Sequence, residues 1–205
     1  MILALDTSTA ACSAALLAPN GRVVAAADER IGRGHAERLV GMIGELLGGH
    51  IPTSICVGVG PGSFTGIRVG IAAAQGMAIG WSATLMGMDS LALTAAGLEP
   101  DGDPVAVAII GGHGELFLRS FDGRTLIPLD AVASLTPQAA AQRVAARRVV
   151  GSGAEALVAA RGFGEAIEGF PSAANALRLP KALRSLEPKP AYARAPDAKP
   201  KAEAA

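Results

Sequence analysis

Ile2-Leu3-Ala4-Leu5-Asp6-Thr7-Ser8-Thr9 opens the chain, followed by the small and apolar run Cys12 to Ala18, the turn Pro19-Asn20-Gly21 and the run Arg22 to Asp28. A proline leading into Asn-Gly is a strong hairpin signal, so this stretch reads as three consecutive antiparallel strands. The polar gap after Asp6 is too short to hold the helix that a dinucleotide-binding fold places after its first strand. The opening therefore predicts a sheet with an antiparallel start, which is unusual in an α/β protein.

The segments that follow supply helices and further strands. Past Gly32-Arg33-Gly34, residues Leu39, Met42, Ile43, Leu46 and Leu47 recur at the spacing of one helical face within His35 to Leu47, and Gly48-Gly49 stops the run. Ser54 to Gly58 reads as a buried strand, then come a glycine loop, a helix from Thr65 to Gly80, a strand at Thr84 to Met88 and a short helix at Ser90 to Ala96. Gly97 to Pro104 is a surface linker by composition. Val105 to Ile110 and Glu115 to Phe121 read as paired strands, followed by a helix after Pro137, the strand Arg148 to Val150 and a helix over Ala154 to Ala160. The expected organisation is an N-terminal lobe over 1–98, a smaller lobe over 104–180 and a tail over 181–205. That tail is rich in Pro and Ala, holds all the lysines (Lys181, Lys189, Lys199 and Lys201), and is expected to be mostly flexible, with order only around Tyr192.

Composition narrows the function classes. In 205 residues, 50% of them hydrophobic, 18 basic side chains balance 18 acidic ones, and the length suffices to bury a real core. A neutral chain with 3% aromatic residues is a poor sole grip on a nucleic acid, which favours a basic surface and rings for stacking. Any RNA role calls for a partner. Cys12 and Cys56 each sit in an apolar run and read as reduced, buried thiols. No basic stretch precedes Met1 to Leu5 and Asp6 interrupts the apolar run, so no secretory leader is expected and the expected location is the cytoplasm. Val69 to Met88 carries no charge, but its Gly and Ala content, Gln75 and the break at Gly80 to Ser82 read as a helix and a strand rather than a membrane span.

Gly58-Val59-Gly60-Pro61-Gly62-Ser63-Phe64-Thr65-Gly66 looks like three known motifs and fits none of them. The dinucleotide fingerprint wants a glycine at its sixth position, where Gly58 leads to Ser63 and Gly60 leads to Thr65. A Walker A loop wants Lys and then Ser or Thr after its last glycine, where this chain has Ile67-Arg68. A nucleophile elbow wants glycines flanking Ser63 two residues away, where Pro61 and Thr65 stand. What remains is a rigid entry to a helix N-terminus. Its backbone N–H groups either hold an anion or nucleotide, with Gly60, Gly62, Ser63 and Thr65 as contacts, or accept a neighbouring chain. Asp6, beside Thr7 and Ser8, either orients a metal-bound phosphate or caps its own turn. His35, His50 and His113 are widely separated with no i, i+4 pair, so no metal site is expected, and His35 reads as a residue of a helix start.

Three stretches taken together resemble the bacterial TsaB (YeaZ) family: Ile2 to Thr9 with Cys12-Ser13-Ala14-Ala15-Leu16, then His35-Ala36-Glu37-Arg38-Leu39, then Gly58 to Gly70 with the run Gly60-Pro61-Gly62-Ser63-Phe64-Thr65-Gly66-Ile67-Arg68. The likeness covers the first lobe, with weaker echoes at Val150-Gly151-Ser152-Gly153-Ala154 and Pro190-Ala191-Tyr192-Ala193-Arg194. It implies the two-lobed α/β fold of the actin, Hsp70 and sugar-kinase superfamily, each lobe a mixed sheet with helices and the second lobe reduced. It also implies a non-catalytic subunit that heterodimerises with a TsaD-like catalytic subunit and acts with a TsaE-like ATPase. The reaction so supported is transfer of a threonylcarbamoyl group to N6 of the adenosine 3′ of the anticodon (t6A) in tRNAs reading codons that begin with A. The catalytic relative carries metal-binding histidines beyond the corresponding loop and helix, whereas Met88-Asp89-Ser90-Leu91-Ala92-Leu93 has none. The resemblance therefore implies no cofactor on this chain, with ATP or ADP and metal bound by partner subunits, and tRNA reached through the complex. Family members commonly have an acid and basic residues in the turn aligned with Ile110 to Glu115, of which Gly114 and Glu115 match here.

The leading reading is thus a scaffold. Its expected partner-facing residues are His35, Leu39, Met42, Ile43 and Leu46 on the first long helix and Ile67, Gly70, Ala73 and Ala74 on the second, where small residues let backbones approach closely. Whether the chain forms a homodimer when the partner is absent stays open at this point. The competing reading of the same residues is that both helices face their own sheet. The alternative function is a nucleotide-binding phosphotransferase using Asp6 and the turn Gly151 to Gly153. A metallopeptidase, suggested by kinship alone, is opposed by the scattered histidines.

Overall fold

The computed structural model describes residues 1–193. β1 (Ile2–Asp6), β2 (Ala11–Leu17) and β3 (Val23–Arg30) form the antiparallel start, each pairing with the strand before it. β4 (Ser54–Gly58) then pairs parallel to β1, and β5 (Thr84–Met88) parallel to β4, giving the order β3-β2-β1-β4-β5. Strand periodicity sorts the side chains onto two faces. Leu3, Leu5, Cys12, Ala14, Ile55 and Val57 point to one side, and Ala4, Ala15, Leu17 and Cys56 to the other. The first face is covered by α1 (His35–Leu47) and α2 (Phe64–Trp81). Against the second lies α3 (Ser90–Ala95), all six of whose residues are buried.

The second lobe repeats the mixed-sheet plan on a smaller scale. β6 (Val105–Ile110), β7 (Leu116–Phe121), β8 (Ala133–Leu135), β9 (Arg148–Val150) and β10 (Glu165–Ile167) are ordered β10-β9-β6-β7-β8, with α4 (Pro137–Arg143) and α5 (Ala154–Arg161) on the outer face. Val105, Val107, Ile109 and Phe121 turn inward and join Met88, Leu91 and Leu93 in one core that runs through both lobes. Ala106, Ala108, Leu116 and Leu118 face α4 and α5. This is the two-lobed actin, Hsp70 and sugar-kinase type of architecture, layered as helices, sheet, buried helix, sheet, helices. β8 and β10 escape the sequence reading because three residues show no alternation, and in β10 only Ile167 is even partly buried.

The chain then returns to the first lobe. A short 3-10 segment (Ala173–Arg178) lies on β2, where Ala173 donates its N–H to Ser13 Oγ at 2.6 Å and Ser172 Oγ donates to Asp28 at 2.7 Å. Leu183 is buried, Leu186 exchanges two backbone hydrogen bonds with Gly87 (2.8 and 2.9 Å), and Ala191 N–H donates to the Val59 carbonyl at 2.8 Å. Residues 181–193 therefore form a strap across the ends of β4 and β5. Its composition conceals this, because two leucines and the backbone do the holding. Arg194, Lys199 and Lys201 lie outside the described residues. Among the described residues no helix is long and apolar enough to cross a membrane.

Candidate functional site

The glycines of the loop and of α2 have a steric cause. Gly62, just ahead of α2, and Gly66 and Gly70 within it recur every four residues and meet the turn after β1. A Cβ on Gly62 would overlap the Ser8 carbonyl, one on Gly66 the Thr7 carbonyl, and one on Gly58 the Asp6 carboxylate; one on Gly70 would stand 2.5 Å from Thr7 Oγ1. The turn is bonded to the loop as well as packed on it. Ser63 N–H donates to the Ser8 carbonyl at 2.6 Å, and Thr7 Oγ1 donates to the Gly66 carbonyl at 2.7 Å. Ser63 Oγ in turn caps α2 by accepting from Gly66 N–H at 3.2 Å. The loop thus closes on the turn after β1 of its own chain.

Asp6 completes that lock. It is fully buried; Oδ1 accepts from Ser8 N–H at 2.8 Å and from Ser8 Oγ at 2.7 Å, while Oδ2 accepts from Ser90 Oγ at 2.6 Å. Burial pushes its carboxyl above the ordinary aspartate value, against the pull of these hydrogen bonds. Ser90 Oγ also accepts from Gly60 N–H at 3.2 Å. The expectation of an anion or nucleotide contact is thereby corrected for Asp6, Thr7 and Gly60, which are buried and engaged inside the first lobe, while Ser8 reaches the edge of the cleft with its hydroxyl donated to Asp6. Gly62 and Ser63 do line open space, and Thr65 is exposed.

That space is a cleft of about 1000 Å³ between the lobes. Ser63, Phe64 and Arg68 stand on one wall and Ile110, His113 and Ser152 on the other, and the described residues that line it include no carboxylate. The turn Gly151 to Gly153 reaches it through Ser152, whose Oγ accepts from Ile110 N–H at 3.0 Å. Gly151 needs its positive φ of 120° and its missing Cβ to sit on the Ala108 carbonyl.

The helices correct a second expectation. Leu39, Met42, Ile43, Ile67 and Ala74 are at most 3% exposed and face their own sheet, so they do not meet a partner. Gly70 is buried on Thr7, His35 Nε2 lies 3.2 Å from the Ala11 carbonyl, and Leu46 and Ala73 are half-buried against the same core. The physical reason is the ordinary one that an amphipathic helix buries its apolar side. The surface left outside includes Val40, Gly41 and Gly44 on α1, flanked by the exposed Glu37 and Glu45, and Ala72, Gln75, Gly76 and Ile79 on α2, with Val40 67% and Ile79 82% exposed. At the start of α2, Phe64 stacks on Tyr192 from the strap (centroids 5.8 Å apart, planes at 26°), and the Arg68 guanidinium lies 3.5 Å from the Phe64 ring centroid. The i, i+4 spacing of Phe64 and Arg68 could have flagged half of this cluster from sequence. Nothing in the sequence pattern indicates that Tyr192 returns to it.

Residues 26–142 match the family model described as TsaD: tRNA N6-adenosine threonylcarbamoyltransferase. The tRNA threonylcarbamoyladenosine biosynthesis protein TsaB of Escherichia coli K12 is 43% identical over 127 residues, covering 58% of this chain and 54% of that protein. The chain thus spans about half the length of this curated relative. YeaZ from Pseudomonas aeruginosa superposes with a TM-score of 0.75 at 30% identity, over 93% of this chain and 98% of that one. A further Pseudomonas aeruginosa structure, of an uncharacterized protein with similarity to peptidase YEAZ, gives 0.77 at 31% identity over 94% and 99%. The ethanolamine utilization protein EutJ of Carboxydothermus hydrogenoformans, 17% identical with a TM-score of 0.51, shares the fold alone. With a family model over more than half its residues and relatives of 30% identity and above aligned from end to end, the chain belongs to the TsaB (YeaZ) family.

Proposed function

We propose that this chain is a non-catalytic scaffold subunit for threonylcarbamoyl transfer to N6 of the adenosine 3′ of the anticodon, and that it docks a TsaD-like catalytic subunit on the outer faces of α1 and α2. The observation that carries this reading is the outer face of α2. Ala72, Gln75, Gly76 and Ile79 are exposed there, and no charged side chain follows Arg68 to the end of the helix. A solvated helix face ordinarily carries charge. A neutral face of small residues, continued by Val40 and Gly44 of α1, lets a second pair of helices approach closely and loses its water at little cost.

The match of residues 26–142 to the TsaD model supports a partner built on related lobes. The named role of the Escherichia coli relative supports tRNA adenosine as the acceptor. Selection of tRNAs reading codons that begin with A, a TsaE-like ATPase as third component, nucleotide and metal held by those partners, and a homodimer through the same face in the partner's absence belong to the same proposal. The described residues that line the cleft are apolar, hydroxylic or cationic rather than acidic, which favours the scaffold over a phosphotransferase, whose Mg²⁺ asks for carboxylate ligands.

The test is calorimetric titration of the purified TsaD-like subunit of the same organism with Gly76→Arg, a position where no atom lies within 4 Å of an added Cβ. Binding is expected to weaken by about 100-fold or more with a thermal midpoint no lower than that of the wild type. Wild-type affinity in that folded variant would refute docking on α2.

A further inference from the structure

We infer that Arg68 is the receptor on this docking face for a carboxylate of the partner protein, and that the C-terminal strap shapes the receptor by delivering Tyr192 to it. The inference rests on the docking proposed above and adds to it the chemistry of the contact.

The geometry is that of a prepared guanidinium. Arg68 lies with its central carbon 3.5 Å from the Phe64 ring centroid and 5.7 Å from that of Tyr192. Ring contacts engage the face of a guanidinium and leave the N–H donors in its plane available. Among the described residues no carboxylate pairs with Arg68, although the chain carries 18 acidic side chains. Arg30, the other cation among the described residues that line this side of the cleft, is by contrast paired with Glu168. Phe64 and Tyr192 are 58% and 48% exposed, a large apolar area for water to cover beside an unpaired charge.

The position fits an interface contact. Phe64, Arg68, Ala72 and Gly76 follow one another at four-residue intervals, so Arg68 stands in the exposed row that continues into the neutral face. A partner covering that row takes water away from Arg68. Desolvating an arginine without a counter-charge is costly, so a partner that binds well must bring an acceptor, and a carboxylate matches the paired in-plane donors. Stacking on Phe64 with Tyr192 beside it also holds the side chain in one arrangement before binding, which lowers the entropy lost on docking. Arginine and tyrosine are the residue types on which interface energy concentrates. A nucleic-acid phosphate would satisfy the same donors, but one arginine on a neutral face is too little charge to hold a polyanion.

The experiment uses the full chain and the purified catalytic subunit. Arg68→Ala is expected to weaken binding about 10- to 100-fold, Arg68→Glu more, and Arg68→Lys by an intermediate factor, because lysine keeps the charge and loses the fork. Tyr192→Ala is expected to weaken it about fivefold, and thermal midpoints identify any variant that misfolds. Acidic residues of the partner are then neutralised one at a time in double-mutant cycles, and one of them is expected to couple to Arg68 by about tenfold or more. If Arg68→Ala binds as the wild type while Gly76→Arg abolishes binding, the carboxylate receptor is overturned and docking on α2 stands. If neither variant changes affinity, the docking proposal fails and takes this inference with it. Weakened binding with no coupled partner acid, or tRNA retention by the isolated chain that Arg68→Ala removes, overturns the assignment of a protein carboxylate.

Discussion

Ser90 donates its hydroxyl to Asp6 Oδ2 at 2.6 Å, across 84 residues of sequence. The bond ties the end of β1 to the first residue of α3, and because Ser90 Oγ also accepts from Gly60, the glycine loop joins at the same atom. Three segments distant in sequence thus meet at one buried carboxylate. The carboxylate that the phosphotransferase reading would turn toward a nucleotide is here a structural junction.

Removing that carboxylate therefore acts on stability. Asp6→Ala leaves three donors, Ser8 N–H, Ser8 Oγ and Ser90 Oγ, without their acceptor in the core, and a loss of about 2–4 kcal/mol is expected from urea unfolding. Asp6→Asn keeps the volume and one acceptor and should lose less. The pH dependence has a definite sign. With the folded value raised above 3.8, the folded protein keeps a proton that the unfolded chain has released in the window just above that pH. Stability then falls as pH rises through the window, and Asp6→Asn lacks that slope. An advantage of wild type over Asp6→Asn that grew with pH would show the hydrogen bonds outweighing burial.

The glycines of α2 should separate into two kinds. Gly66→Ala drives a methyl into the Thr7 carbonyl, backbone that cannot move without breaking the lock, so about 3 kcal/mol of destabilisation is expected. Gly76→Ala meets nothing within 4 Å and replaces a poor helix former in mid-helix, so a gain of about 0.5–1 kcal/mol is expected. Thermal melts of the two variants side by side decide it; equal shifts would remove the steric account of the repeat.

The first lobe was legible because its signals are local. Pro19-Asn20-Gly21 announces a hairpin and Leu39, Met42 and Ile43 announce a helix face, each within a few residues. Which way a face points is a tertiary fact, and there sequence misled: the apolar stripe read as a docking surface belongs to the core, while the Gly, Ala and Gln side, on which docking is proposed, scores as featureless. Asp6 misled for the related reason that a carboxylate beside hydroxyls looks the same whether it awaits a ligand or has already closed on Ser8 and Ser90. Tyr192 lies 128 positions from Phe64, and no spacing rule connects them.

A second buried carboxylate holds the lobes together. Asp89 caps α3 through Ala92 N–H at 2.8 Å, and its other oxygen accepts from Arg119 of β7 at 2.8 Å. Either single removal leaves a partner uncompensated near the lobe junction, so Asp89→Ala and Arg119→Met are each expected to cost about 3 kcal/mol. The double variant should cost clearly less than the sum. Strict additivity in denaturant unfolding would mean that the pair contributes nothing as a pair.

The two thiols give a chemical readout of the same core. Cys12 faces the layer under α1 and α2, Cys56 faces the layer holding α3, and β1 runs between their strands, so they cannot pair while the sheet is intact. Burial pushes the Cys12 thiol up to about 11 and raises Cys56 as well, leaving little thiolate at neutral pH. Labelling by a disulfide reagent at pH 8 is therefore expected to follow opening of the fold. It should be slow in buffer, accelerate with urea and reach two equivalents per chain in full denaturant. Stoichiometric labelling of the native protein at the rate of a free thiol would contradict the burial of both residues, and with it the packing of β2 and β4 on either side of β1.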